Sequence, residues 1–328
     1  MRVAVTNWSA HLPGLPPSQT LGGWAPGPAC PPEAAATLLG RKGLAVKEPA
    51  TRLALCAVHR ALGLPAGARR GPGEPPDPTT AVVASSNLGN VGTVAAVAAA
   101  VAAEGLRAVS PLAAPNAASN VLPGTVAIWF GYGGPNLLVC SGHPAGLDAV
   151  GLGMLLLAAG RADRVVVVGA EPADPTATAL LAGEPAPEPA PELTPRPAPG
   201  ARLRAAAGCV VLAPAAGFPA APVLDPVAPA PAGGPGSRRA PPISPQADPG
   251  RPAGTRPELI APGDYYPPER PVLDLTGRLG QTYGALGVLQ VAVAAAILAR
   301  APGAIRIVCG DPADGYRTTR LVRHRGSP

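Results

Sequence analysis

Two stretches of this chain, Leu147–Ala159 and Thr282–Ala299, are apolar over nearly every face at helical spacing. A helix without a polar face has to lie in the middle of a structure rather than on its surface. Short runs bounded by turn residues surround them: Val3–Thr6, Thr80–Ser85, Leu137–Cys140, Val165–Gly169, Cys209–Leu212, Val272–Leu275 and Ile305–Cys309. These read as strands. They lack the polar alternation of a sheet with one wet face, so parallel-rich sheets covered on both sides are expected, and the class is α/β. Arg52–Leu62 and Val91–Ala103 complete the helical set, and their apolar character gives them an interior place as well.

Strand Leu137–Cys140, helix 143–159 and strand Val165–Gly169 are echoed by strand Val272–Leu275, helix 282–299 and strand Ile305–Cys309, so the chain reads as two related halves. The first covers 1–213 with an irregular loop at about 177–204. The second covers 214–328 with a Pro-rich irregular segment at about 227–270. Both irregular stretches hold too much proline for an interior helix or a central strand. The 47 prolines and 41 glycines would suit a disordered chain, but the prolines crowd into 171–272 and leave the periodic blocks intact.

The net charge of +6 comes almost wholly from scattered arginines, Lys42 and Lys47 being the only lysines. With two Phe, three Trp and five Tyr there are few stacking platforms, so nucleic-acid binding is not expected. Cys30, Cys56, Cys140, Cys209 and Cys309 are odd in number, widely spaced and mostly within apolar segments. Reduced, buried thiols in the cytoplasm fit this better than a disulfide framework or a zinc site. Neither a leader nor a membrane span is expected.

The block Gly134-Pro135-Asn136-Leu137-Leu138-Val139-Cys140-Ser141-Gly142-His143-Pro144-Ala145-Gly146, continuing to Gly151, resembles the active-site elbow of β-ketoacyl synthases. Pro115-Asn116, Asn120 and Gly124 resemble the preceding helix, Gly169-Ala170-Glu171 the Gly-Gly-Ala-Glu strand end, and Thr276-Gly277-Arg278 through Gly287 the Thr-Gly-His segment. The resemblance implies a thiolase-like five-layer αβαβα fold with a shortened C-terminal half. It implies a Cys at the elbow that accepts an acyl group from a carrier thioester, and two His that promote decarboxylation and stabilise the enolate. Here His143 stands at the nucleophile position and Arg278 at one His position. The only histidines are His11, His59, His143 and His324, so no two-His constellation can form. The closing Gly-Phe-Gly-Gly-Thr-Asn turn is altered to Pro312-Ala313-Asp314-Gly315-Tyr316-Arg317.

By this resemblance the chain is a non-condensing subunit like the chain-length factor of type II polyketide systems. Its partners are an intact ketosynthase and an acyl carrier protein, with no cofactor and no metal. Pocket or tunnel candidates are Asn116, Ala117, Ser119, Asn120, His143 and Arg278, and the dimer edge is Leu137, Leu138, Val139 and Cys140. His143 is either a working base, as in a stand-alone acyltransferase or decarboxylase, or a pocket filler. Arg278 is either an anion site or a salt-bridge partner. Cys140 reads as packing, Ser141 does not complete a hydrolase elbow, and Asn87–Gly92 reads as a structural turn rather than a phosphate loop.

Overall fold

A computed structural model describes residues 1–71, 73–183, 203–230, 258–262 and 272–324. The first half runs β1 (Val3–His11), α1 (Ala36–Leu39), α2 (Pro49–Ala61), β2 (Thr80–Ser85), α3 (Val91–Glu104), α4 (Val121–Phe130), β3 (Asn136–Val139), α5 (Ala145–Ala158), β4 (Arg164–Glu171), α6 (Pro175–Ala182) and β5 (Ala206–Pro214). The second runs β6 (Val223–Leu224), β7 (Ala228–Ala230), β8 (Leu259–Ile260), β9 (Val272–Leu273), α7 (Leu275–Leu279), α8 (Leu286–Arg300), β10 (Gly303–Asp311) and β11 (Gly315–Arg323).

The strands join in the order β3-β2-β4-β5-β1-β6-β11-β10-β8-β9, with β7 beside β11. From the β3 edge the first four pairings run parallel, parallel, antiparallel, antiparallel. From the β9 edge the sequence of pairings is the same. Two copies of one topology therefore meet at a short antiparallel bridge, Val3 to Leu224 and Ala4 to Val223. This is the thiolase-like arrangement. Its second copy is reduced, with only two residues each in β8 and β9.

Both faces of the first sheet are dry. Along β4, Val165 and Val167 face a core shared with α5, α8 and the second sheet, while Val166 and Val168 face α2 and α4. Because successive strand residues point to opposite faces, burial on both sides removes the need for polar alternation. The outer face of the second sheet carries a smaller cluster, Leu259, Ala261, Val308 and Tyr316. The segment Tyr283–Arg300 is long and apolar enough to cross a membrane by length and composition, yet 83% of it is buried inside the fold.

The two central helices touch backbone to backbone. A Cβ on Gly146 of α5 would lie 2.6 Å from the Gly287 nitrogen, and one on Gly287 of α8 would lie 2.5 Å from the Leu147 nitrogen. Glycine at both positions lets the helices approach to where their other side chains interlock.

Four expectations change. The stretch read as a loop from 177 is helical to Ala182, where Asp174 caps the helix by accepting from the Ala177 N–H at 2.9 Å. The Pro-rich stretch 227–270 contains two short strands, β7 and β8; Pro229 is tolerated because β7 is an edge piece lying off the main strand path. Residues 184–202, 231–257 and 263–270 of these stretches lie outside the described residues. The helix to which Pro115-Asn116, Asn120 and Gly124 were likened starts only at Val121, Asn116 belonging to a separate turn of tighter helix. Helix α3, expected inside, has no buried residue.

Gly146→Ala or Gly287→Ala is expected to lower stability by about 3 kcal/mol or more, since neither backbone can yield without separating the layers. Gly217→Ala, which meets nothing within 4 Å, should change it by less than about 0.5 kcal/mol. Denaturant midpoints on the three variants check this.

Candidate functional site

The elbow between β3 and α5 is built by a turn at Gly142, whose φ of 76° suits glycine and whose Cβ would strike Asp314. Asn87, from the loop after β2, clamps it at two points: its Oδ1 accepts from the Gly142 N–H at 3.1 Å and its Nδ2 donates to the Gly142 carbonyl at 2.9 Å. His143 follows, buried just before α5.

The imidazole is held on every side. Nδ1 lies 2.8 Å from Asp311 Oδ2 and 3.4 Å from Asp314 Oδ2. The His143 backbone N–H donates to Asp314 at 2.9 Å, and its carbonyl accepts from the Cys309 thiol at 3.1 Å. Nε2 is 2.9 Å from the Gln281 side-chain nitrogen. That amide cannot flip freely, because its oxygen accepts from the Tyr283 N–H at 2.9 Å. The NH2 group therefore faces the ring, Nε2 is an acceptor and the ring hydrogen sits on Nδ1 toward the carboxylates. Tyr283 packs edge-on against the ring at 4.6 Å and is the single non-glycine residue with positive φ among the described residues.

Behind the elbow, Glu171 at the end of β4 is fully buried. One carboxylate oxygen accepts from the N–H groups of Asn87 and Gly284, the other from Leu88 N–H and the Ser86 hydroxyl. Burial pushes the carboxyl up to about 7, and the four donors restrain it from going further. The Asn87 and Leu88 N–H groups are consumed by this carboxylate, which supports Asn87–Gly92 as a structural turn. Glu171 also ties that turn to Gly284, linking the two halves beneath the site.

Of the residues singled out from sequence, only His143 lies at the centre of this cluster. Arg278 is exposed on α7, away from the cluster, and the residue of that segment that meets His143 is Gln281. Asn116 is buried but donates to the Val46 carbonyl, and Ala117 accepts from Asn90. Ser119 and Asn120 are exposed. None of these four hydrogen-bonds to the His143 cluster. Leu137, Leu138 and Val139 do form the end strand of the sheet. Cys140 just beyond them is exposed, against the expectation of a buried thiol; its Sγ–H donates to the Ser86 carbonyl at 3.0 Å, and partial burial followed by the nearby Glu171 charge push the thiol up. Asp311, Gln281, Tyr283 and Glu171 went unread as site residues. Only the altered closing turn pointed toward them.

Ligand atoms come together at two places among the described residues, His143 with Asp311 and Asp314, and His11 with Cys30 and Cys56. At the first, Asp311 Oδ1 already accepts two backbone N–H groups of its own turn and Asp314 accepts the His143 N–H. These atoms are thus already engaged in hydrogen bonds within the chain. A surface groove of about 380 Å³ lined by residues such as Pro76, Ile128 and Tyr132 shares no residue with the site.

Residues 33–185 match the family described as β-ketoacyl synthase, N-terminal domain. That stretch, a little under half of the chain, is therefore similar to a β-ketoacyl synthase N-terminal domain. In three dimensions this ketosynthase-like chain is similar to the ishigamide ketosynthase/chain length factor, at 18% identity and TM-score 0.68, over 99% of this chain and 100% of that one. It is also similar to the type II polyketide synthase structure AntDE:AntF, an acyl-carrier protein in complex with its ketosynthase, at 14% identity and TM-score 0.66, over 98% and 99%. A β-ketoacyl synthase from Burkholderia phymatum aligns at 16% identity and TM-score 0.65, over 99% and 100%. At these identities the likeness is one of fold. No curated protein matches the chain in sequence.

Glu171 binds its proton more tightly in the folded chain than at its ordinary value of 4.5, so its contribution to stability is present below 4.5 and lost as pH rises through about 7. Denaturation between pH 4 and 8 should show this loss in the wild type. The Glu171→Gln variant should lack that part of the slope.

Proposed function

We propose that this chain is a non-condensing ketosynthase-like subunit, which pairs in the cytoplasm with an intact β-ketoacyl synthase and supports chain elongation on an acyl carrier protein. The observation that carries this reading is the His143 imidazole itself. At the family's nucleophile position stands a group with no sulfur, and its Nε2 lone pair is taken by the Gln281 amide. A condensing enzyme needs a thiolate there and imidazoles to stabilise the enolate. Gln281 offers an amide, and the remaining histidines are elsewhere: His11 and His59 at other buried positions and His324 near the end of the chain.

The Asp311–His143 pair favours a second reading, acid–base chemistry in a stand-alone acyltransferase or decarboxylase. Against it, Gln281 occupies the nitrogen that would have to take a substrate proton.

Pairing is supported by the surface. The β3 edge has no strand on its outer side among the described residues, and such an edge invites a strand from another chain. Nearby in sequence are an Ala/Val helix, α3, with no buried residue, and exposed Leu106, Leu112 and Ile128. Single exposed apolar residues are ordinary, but an apolar helix with no fully buried residue, whose Val94 is exposed although Val91 packs against α6, is in keeping with an interaction face. The printed names of the structural relatives include a ketosynthase/chain length factor and a ketosynthase bound to its acyl-carrier protein, which is in keeping with this reading.

Purified alone, the chain should not condense malonyl and acyl thioesters, and His143→Cys should not restore condensation, because the sulfur would face an amide instead of an imidazole. Product formation by either protein, followed by mass spectrometry, would refute the non-condensing reading. Co-expressed with its cognate synthase, the chain should co-elute on size exclusion. Val94→Asp on α3 or Leu137→Asp on β3 should abolish co-elution while leaving circular dichroism unchanged; a wild-type monomer that ignores the synthase would refute the pairing.

A further inference from the structure

Away from the elbow, the end of β1, the loop after it and the middle of α2 bring together His11, Cys30 and Cys56. The imidazole and both sulfurs lie within 4.8 Å of one another. His11 and Cys56 are buried, whereas Cys30 is partly exposed. His11 Nε2 is 2.9 Å from the Cys30 carbonyl and 3.9 Å from its sulfur, so the ring N–H is directed at this one residue. Hydrogen bonding from the Cys56 thiol, then from His11, draws the Cys30 thiol down to about 4, while the same partnership and burial push Cys56 up. The pair is asymmetric: a partly exposed thiol of lowered pKa beside a buried thiol whose pKa is raised.

A metal fits the same atoms less well. With Nε2–H on the Cys30 carbonyl, ligation there would move the ring hydrogen to Nδ1, which is buried without a hydrogen-bond partner, and an unmet buried donor costs about 1–3 kcal/mol.

We propose that Cys30 and Cys56 are a thiol modification site, a dithiol that exchanges with low-molecular-weight disulfides and closes to an internal disulfide. The Cys30 thiolate attacks one sulfur of an external disulfide, breaking its S–S bond, and the first thiolate leaves and takes a proton from water. Cys56 then gives up its proton and attacks the Cys30 sulfur of the mixed disulfide, expelling the second thiolate, which picks that proton up. Two protein thiols are oxidised and one external disulfide is reduced to two thiols. The sulfurs have to close from within 4.8 Å to about 2.05 Å, a movement that the loop bearing Cys30 can supply. The bond would join this loop to α2, which backs the first sheet.

The test uses the full chain and oxidised glutathione. After incubation, alkylation and digestion, mass spectrometry should find a Cys30–Cys56 linked peptide that dithiothreitol reverses. Cys56→Ser should stop at a glutathione adduct on Cys30, and Cys30→Ser should give no linkage. In the untreated wild type, Cys30 should alkylate with iodoacetamide about tenfold faster than the exposed but unactivated Cys140; this rate needs no variant and stands even if a variant misfolds. Saturating glutathione disulfide without a Cys30–Cys56 link would overturn the proposal. So would a Cys30 rate equal to that of Cys140, or protection of both thiols by a retained, chelator-sensitive zinc ion.

Discussion

The contact between Gly146 and Gly287 is the constraint on which the remaining architecture rests. Central helices that meet backbone to backbone bring the two sheets close enough for one shared core, in which β4 and β5 from one half and β10 and β11 from the other face the same helices. The contact also sets the site. Gly146 lies three residues after His143 and Gly287 six after Gln281, so the glycine crossing holds the two polar side chains in register across the halves. Glu171 reinforces that register from below by accepting N–H groups from both.

Within this frame the elbow holds His143 between the Gln281 amide and the carboxylates of Asp311 and Asp314. Asp311 is organised by its own turn, Asp314 by the His143 N–H, and Tyr283 covers the ring at the cost of an unusual backbone angle. Such a network is well satisfied, and satisfied buried polar groups specify one arrangement. On the proposed reading they also leave nothing free to attack a thioester.

Much of the fold was legible because burial on both faces leaves a plain mark: the β2 and β4 runs and the central helices are apolar without alternation. Strand β11 was missed because its partly exposed face interleaves Arg317, Arg320 and Arg323 with buried Tyr316, Thr319 and Leu321, and arginine and threonine obscure a period of two. The elbow was legible from its small residues. Its partners were not, since Gln281 and Asp311 reach His143 through strand order and helix crossing, which no local spacing records. Arg278 was singled out because it follows Thr276-Gly277 as the His does in the Thr-Gly-His pattern, whereas the fold brings Gln281 to the ring. The two cysteines near His11 were set aside for the same reason: Cys30 and Cys56 are far apart in sequence and meet only once β1 and α2 pack.

Helix α3 has a consequence for the abundance of the protein. Fourteen residues of mostly alanine and valine with no buried member form a surface that water solvates poorly, so a chain whose α3 stays bare is open to aggregation and proteolysis. On the proposed pairing, covering α3 would remove that surface from water, and copies left uncovered would be the ones most exposed to loss.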